Sequence, residues 1–256
     1  MYVHNLNPVL ISLGPVSIRW YGLIYALGFV IAYFMLPKLA AKLGKQNITK
    51  KVVEDYLIYL VLGVVIGARF VHVFVYEPAY YFQNPHLIPA MWLGGLSFHG
   101  GFLGAIAATW LFCRKQKIAF LDMADLVVIP AALALGLGRI ANFINGELYG
   151  EVTDVPWAVL FPGQTAYRHP TQIYESLSHL FTFGVLMWLR ERKPKRGTIF
   201  VAFTFIYGLL RFLVEFVRDV DIPYFGLTLG QWMSMGMMVF AVWFYFFRIK
   251  KGEEKN

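Results

Sequence analysis

The feature that most narrows what this chain can become is the recurrence of apolar runs long enough to cross a bilayer. Seven such runs, near 19–36, 52–76, 91–113, 121–142, 170–189, 197–217 and 227–247, each approach the ~20 residues that a hydrocarbon core requires. Of the 256 residues, 58% are hydrophobic and 15% charged, and the apolar residues come in unbroken runs rather than helical stripes. A soluble domain of this size is not built that way. The expectation is an all-α polytopic membrane protein, one integral membrane domain over 1–256, with a small hydrophilic head segment at 143–169. Pro37 is expected to close the first span. The start of the chain lacks a basic n-region, so the first span is expected to serve as the targeting signal.

Charge orients the spans. Alternate loops carry Lys38, Lys42, Lys45, Lys50 and Lys51; Arg114, Lys115 and Lys117; Arg190, Arg192, Lys193, Lys195 and Arg196; and Arg248, Lys250, Lys251 and Lys255, which is 17 of the 23 Lys and Arg. The other loops hold only Arg168 and Arg218, the latter just before Asp219 and Asp221. Basic loops stay cytoplasmic, so seven spans run N-out, C-in. The net charge of +8 is therefore sorted by membrane side, and nucleic acid is not an expected partner. One cysteine, Cys113, excludes an internal disulfide framework and a multi-thiolate metal site. No His-x-x-x-His and no acidic cluster is present either, so neither metal nor cofactor is expected.

With this topology, polar residues of six spans gather in the outer leaflet. Arg19, Trp20 and Tyr21 open the first span; Arg69 and His72 lie late in the second; His99 lies early in the third. Arg139 and Asn142 end the fourth, and His169, Thr171, Gln172 and Glu175 open the fifth. In the sixth, Tyr207, Arg211, Glu215 and Arg218 follow i, i+4, i+8, i+11, one helical face. Ionisable residues within a membrane are costly and mark sites.

Each also has a plainer reading. Arg211 and Glu215 form a self-neutralising i,i+4 pair. Arg139 suits an interfacial anchor whose head reaches for lipid phosphates. Arg19 and Arg69 read as anchors or structural partners, His72 and His179 as structural, Glu147 as a turn cap. Glycines such as Gly63, Gly67, Gly100, Gly101 and Gly104 read as helix-packing positions. On the chemical side, two arginines on facing helices present planar forks suited to a phosphate, and a lipid headgroup is the commonest phosphate at that depth. An imidazole or carboxylate beside it would deprotonate or orient a nucleophile. Ser97 lacks a Gly-x-Ser-x-Gly setting, so the nucleophile is expected from a second substrate.

The run Gly138-Arg139-Ile140-Ala141-Asn142-Phe143, with Asn145, Glu147 and Gly150, resembles the signature of the bacterial prolipoprotein diacylglyceryl transferases. So do Ile18-Arg19-Trp20-Tyr21-Gly22, Ser97-Phe98-His99-Gly100-Gly101, His169-Pro170-Thr171-Gln172-Ile173-Tyr174-Glu175 and the stretch from Tyr207 to Glu215, in order along the chain. The resemblance implies a multi-pass enzyme of the bacterial cytoplasmic membrane whose site faces outward. Its substrates would be phosphatidylglycerol and the lipobox cysteine of a prolipoprotein signal peptide, its products a thioether and glycerol phosphate. In this chain it implies Arg139 and Arg211 on the phosphate, His99 as base or orienting group for the thiol, and Glu215 holding Arg211 or acting as a base. Asn142, Glu147 and Gly150 would shape the mouth, and Tyr21 and Tyr207 would contact lipid. A retinal protein would need a lysine in the seventh span, which has none; a transporter would carry polar groups to the midplane.

Overall fold

The computed structural model describes residues 1–14, 16–220 and 225–250; Asp221, Lys251 and Lys255 lie outside the described residues. Apolar runs become helices: α1 Trp20–Lys42, α2 Lys50–Val71, α4 Phe98–Gln116, α5 Phe120–Asn145, α6 Thr171–Glu191, α7 Thr198–Val214 and α8 Leu229–Phe244, with a short α3, Pro78–Gln83, between α2 and α4. Among the described residues, five helical segments are long and apolar enough to cross a membrane: Trp20–Lys42, Lys50–Tyr76, Phe120–Asn145, Thr198–Val217 and Leu229–Lys250. The coarse expectation of a helical membrane protein stands. Of the other two long helices, α6 carries Gln172, Glu175, Ser176, His179 and Thr182 as buried residues, so its polarity is turned toward protein. α4 spends the end of its 19 residues on Arg114 and Lys115.

Several boundaries differ from those the sequence suggests. α1 runs through Pro37 to Lys42. The third run is not helical from residue 91: Met91–Leu93 is a single 3-10 turn, and α4 starts at Phe98, where Ser97 Oγ accepts from the Gly100 amide at 3.2 Å. A Ser N-cap satisfies one of the orphan amides of the first turn. α2 passes into a π-helical turn, His72–Tyr76, and α7 into a 3-10 turn, Glu215–Val217. Arg218 is therefore extended (φ −86°, ψ 142°) and does not continue the face of Arg211 and Glu215. Among the described residues the fold also has four short strands that hydropathy does not reveal. β2 Val9–Leu13 and β3 Val16–Arg19 form an antiparallel hairpin, and β1 Tyr2–Val3 pairs in parallel with β4 Val159–Leu160.

The chain divides into two units, Met1–Met35 with Ala124–Asn256, and Leu36–Met123. In the second, α2 and α4 pack backbone to backbone: a Cβ on Gly104 would lie 2.0 Å from the Gly63 carbonyl oxygen, and one on Gly67 2.4 Å from that of Gly100. Small residues at this spacing let bilayer helices approach closely. Tyr56 and Thr109 add a buried hydroxyl pair at 3.0 Å. Arg69, 6% exposed, donates to the carbonyls of Ile88 (2.8 Å), Gly94 (2.8 Å), Gly95 (3.0 Å) and Leu87 (2.6 Å), and its guanidinium covers the Tyr81 ring at 4.9 Å. It is the organiser of the 85–95 loop, a structural partner.

In the first unit the head segment is anchored from both sides. The Met1 ammonium donates to the Pro156 carbonyl at 2.7 Å, and His4 Nε2 lies 2.7 Å from the Phe143 carbonyl. The Asp125 carboxylate accepts the amides of Gly197 (2.5 Å) and Phe200 (2.8 Å), closing the start of α7. Negative charge is favourable at a helix N-terminus.

Candidate active site

α5 ends in the signature run, and its last turns lead into a tight turn. The Asn142 side chain donates to Glu147 Oε1 at 2.8 Å, and the Asn145 side chain donates to the same oxygen at 3.1 Å. The Glu147 carbonyl accepts from Gln172 Nε2 at 2.7 Å, and the Leu148 carbonyl from the Thr171 hydroxyl at 2.9 Å, which ties the turn to the first turn of α6. Glu147 itself is exposed. Gly150 has a steric duty: a Cβ there would lie 2.1 Å from the Val217 carbonyl oxygen. Its amide donates to His169 O at 2.9 Å, and it bridges to Arg218 across that close approach.

The centre of the arrangement is a carboxylate. Glu175, 4% exposed, receives Arg139 Nε at 2.5 Å, with Arg211 Nη1 at 3.6 Å and Arg218 Nη1 at 3.7 Å. Arg139 reaches it from α5, Arg211 from α7, and Arg218 from beyond the 3-10 turn. Arg139 Nη1 also donates to Asn142 Oδ1 at 3.3 Å. Arg211 pairs directly with Glu215, likewise 4% exposed, whose Oε1 accepts from the Thr228 hydroxyl at 2.9 Å. Thr228 opens α8 in a capping box with Gln231, so Glu215 is seated on that helix's first turn, close over Gly230. Burial, and then the nearby Arg211, pull the Arg218 guanidinium pKa downward, while Glu175 and Glu215 oppose that shift.

Aromatic side chains border these charges. Tyr207 stacks on His179, ring centroids 5.4 Å apart, within electrostatic range of Arg139, Arg211, Glu175 and Arg218. Tyr21 hydrogen-bonds Tyr25 at 3.0 Å and lies within electrostatic range of Glu147 and Arg139. Tyr21, Arg139, Asn142, Glu147, Gly150, Tyr207, Arg211 and Glu215 thus belong to one neighbourhood of the first unit. His99 belongs to the second unit, where it is exposed and its Nδ1 lies 3.0 Å from the Tyr76 hydroxyl.

Two members of the charge cluster, Glu175 and Arg218, stand among the outer-leaflet polar residues in the sequence but receive no role there. The available signal for Glu175 was a carboxylate inside a membrane helix, which is costly unless it is paired. For Arg218 the signal was its place on the helical face of Arg211 and Glu215, although the helix ends before it. Among the described residues, three guanidinium groups face two buried carboxylates, an excess of one positive charge in a half-buried setting. Such a site accepts one anion, and arginine forks favour phosphate and carboxylate oxygens.

Known proteins are similar in sequence to this chain. The family model described as prolipoprotein diacylglyceryl transferase matches residues 8–247. Relatives named phosphatidylglycerol–prolipoprotein diacylglyceryl transferase include one from Geobacter sulfurreducens, 44% identical over 241 residues that cover 93% of this chain and 92% of the relative. One from Solidesulfovibrio magneticus is 43% identical over 253 residues, 95% of each chain, and one from Bordetella parapertussis is 40% identical over 250 residues, again 95% of each. With a match across nearly its whole length, the chain belongs to the prolipoprotein diacylglyceryl transferase family.

Proposed function

We propose that this chain moves the diacylglyceryl group of phosphatidylglycerol onto the thiol of a lipobox cysteine in a prolipoprotein signal peptide. The observation that carries this reading is the set of three arginines, drawn from separate elements, around the buried Glu175. The bond that breaks joins the diacylglyceryl carbon to a phosphate oxygen; the bond that forms joins that carbon to sulfur. Glycerol phosphate leaves with the electron pair, and the thiol proton passes to a base.

Arg139 and Arg211 grip the headgroup phosphate and stabilise charge as it departs, the term that generally dominates such catalysis. Glu215 holds Arg211 in place. His99 takes the thiol proton or orients the thiol, with Tyr76 engaging Nδ1 so that Nε2 is left for the substrate. A thiol titrates near ~8.5, and cationic surroundings raise its thiolate fraction. Asn142, Glu147 and Gly150 shape the mouth, and Tyr21 and Tyr207 meet the lipid. The site faces the extracytoplasmic side of a bacterial cytoplasmic membrane, in a seven-span chain with its N-terminus out and C-terminus in.

Purified protein in detergent, given phosphatidylglycerol and a lipobox peptide, is expected to release glycerol phosphate only when both are present. Arg139→Gln is expected to lower that release by at least about a hundredfold, the scale on which loss of a charge-stabilising donor acts. Native-like release by this variant, folded as judged by its melting curve, would refute the phosphate-grip role.

A further inference from the structure

We infer that Glu175 is a positioning residue that holds the arginine cluster one charge short of overfilled, and so sets how tightly the departing phosphate is retained. The inference rests on the phosphate-grip reading of Arg139 and Arg211. Two features of the geometry lead to it.

The first is how unevenly Glu175 holds its three partners. Arg139 Nε comes to 2.5 Å from Oε2, whereas Arg211 and Arg218 approach Oε1 only to 3.6 and 3.7 Å. The long pair lies beyond hydrogen-bond distance, so charge attracts them without binding direction. Those two forks take no direction from Glu175: Arg211 has its direct pair in Glu215, Arg218 is drawn to Glu175 by charge, and Arg139 lies closest to it. Among the described residues, Arg218 Nε is buried without a hydrogen-bond partner.

The second is the charge count. With Glu175 and Glu215 both ionised, the three arginines leave an excess of +1; without Glu175 the excess is +2. A phosphodiester headgroup carries one negative charge, but the released monoester, with a second pKa of ~6, carries nearly two. An excess of +1 matches the substrate and holds the product loosely. An excess of +2 would match the product and retain it.

The test is Glu175→Gln, which keeps the shape and removes the charge. The expected result is glycerol phosphate inhibiting at a roughly tenfold lower concentration, with kcat reduced by about tenfold and the KM for phosphatidylglycerol unchanged or lower. A merely structural Glu175 would lower the yield of folded protein and leave the inhibition constant native; that result overturns the inference. The charge-restoring double variant, Glu175→Gln with Arg218→Gln, is expected to return the inhibition constant toward native. Should Glu175→Gln fail to fold, Arg218→Gln alone reads the same quantity from the other side: inhibition about tenfold weaker supports the inference, unchanged inhibition overturns it. Inactive Arg139→Gln beside a native-like Glu175→Gln defeats this inference only. An active Arg139→Gln defeats the phosphate grip and this inference with it.

Discussion

Glu175 shows how a single residue's meaning depends on partners that the linear chain keeps apart. Arg139 lies 36 positions before it and Arg211 as many after, and nothing local in either segment announces that one carboxylate serves both. Arg211 and Glu215 were legible as a pair because i,i+4 spacing places them on one helical face. The same spacing puts Arg218 on that face, yet the helix gives way to a 3-10 turn at Glu215 and the backbone extends, so Arg218 reaches Glu175 by another route. Tyr76 was hidden for a related reason: the π-turn His72–Tyr76 changes which way the end of α2 presents its side chains. Such turns recur at functional sites. If Tyr76 fixes the His99 ring, Tyr76→Phe should reduce kcat by about tenfold while the KM for phosphatidylglycerol stays native, a fraction of the ~10²–10⁴ a positioned acid–base group contributes. Initial rates against lipid concentration would check it, and a native kcat would remove Tyr76 from the scheme.

At the scale of elements, apolar runs specify where helices lie but not how they end. Among the described residues, hydropathy located the seven long helices, since each must keep a continuous apolar surface from water. It missed the late start of α4 and the passage of α1 through Pro37, which depend on capping and backbone hydrogen bonds rather than on polarity. It also missed β1 and β4, whose pairing joins residues 2–3 to 159–160 with no local pattern to mark either strand. The glycines of α2 and α4 were legible as packing positions, and the structure puts them at backbone contact. Gly104→Leu is expected to destabilise the protein by roughly 1–3 kcal/mol, the usual cost of overpacking, and to lower its melting temperature in detergent. Arg69→Ala would strip the 85–95 loop of its central donor and strand several carbonyls. A loss on the order of 3 kcal/mol is expected, with faster proteolytic cutting in that loop as the direct readout.

For the whole molecule, the proposed orientation rests on the distribution of lysine and arginine. In a variant with Cys113 replaced by serine, a cysteine introduced at Thr153 in the head should react with a membrane-impermeant maleimide on intact cells, and one at Lys195 should not. The reverse pattern would invert the topology and place the arginine cluster on the cytosolic side. The chemistry has a more direct test. A lipobox peptide incubated with the purified protein and phosphatidylglycerol should gain the mass of one diacylglyceryl group on its cysteine, and the Arg139→Gln protein should leave the peptide mass unchanged. A peptide unmodified by the native protein, or modified equally by the variant, would contradict the account.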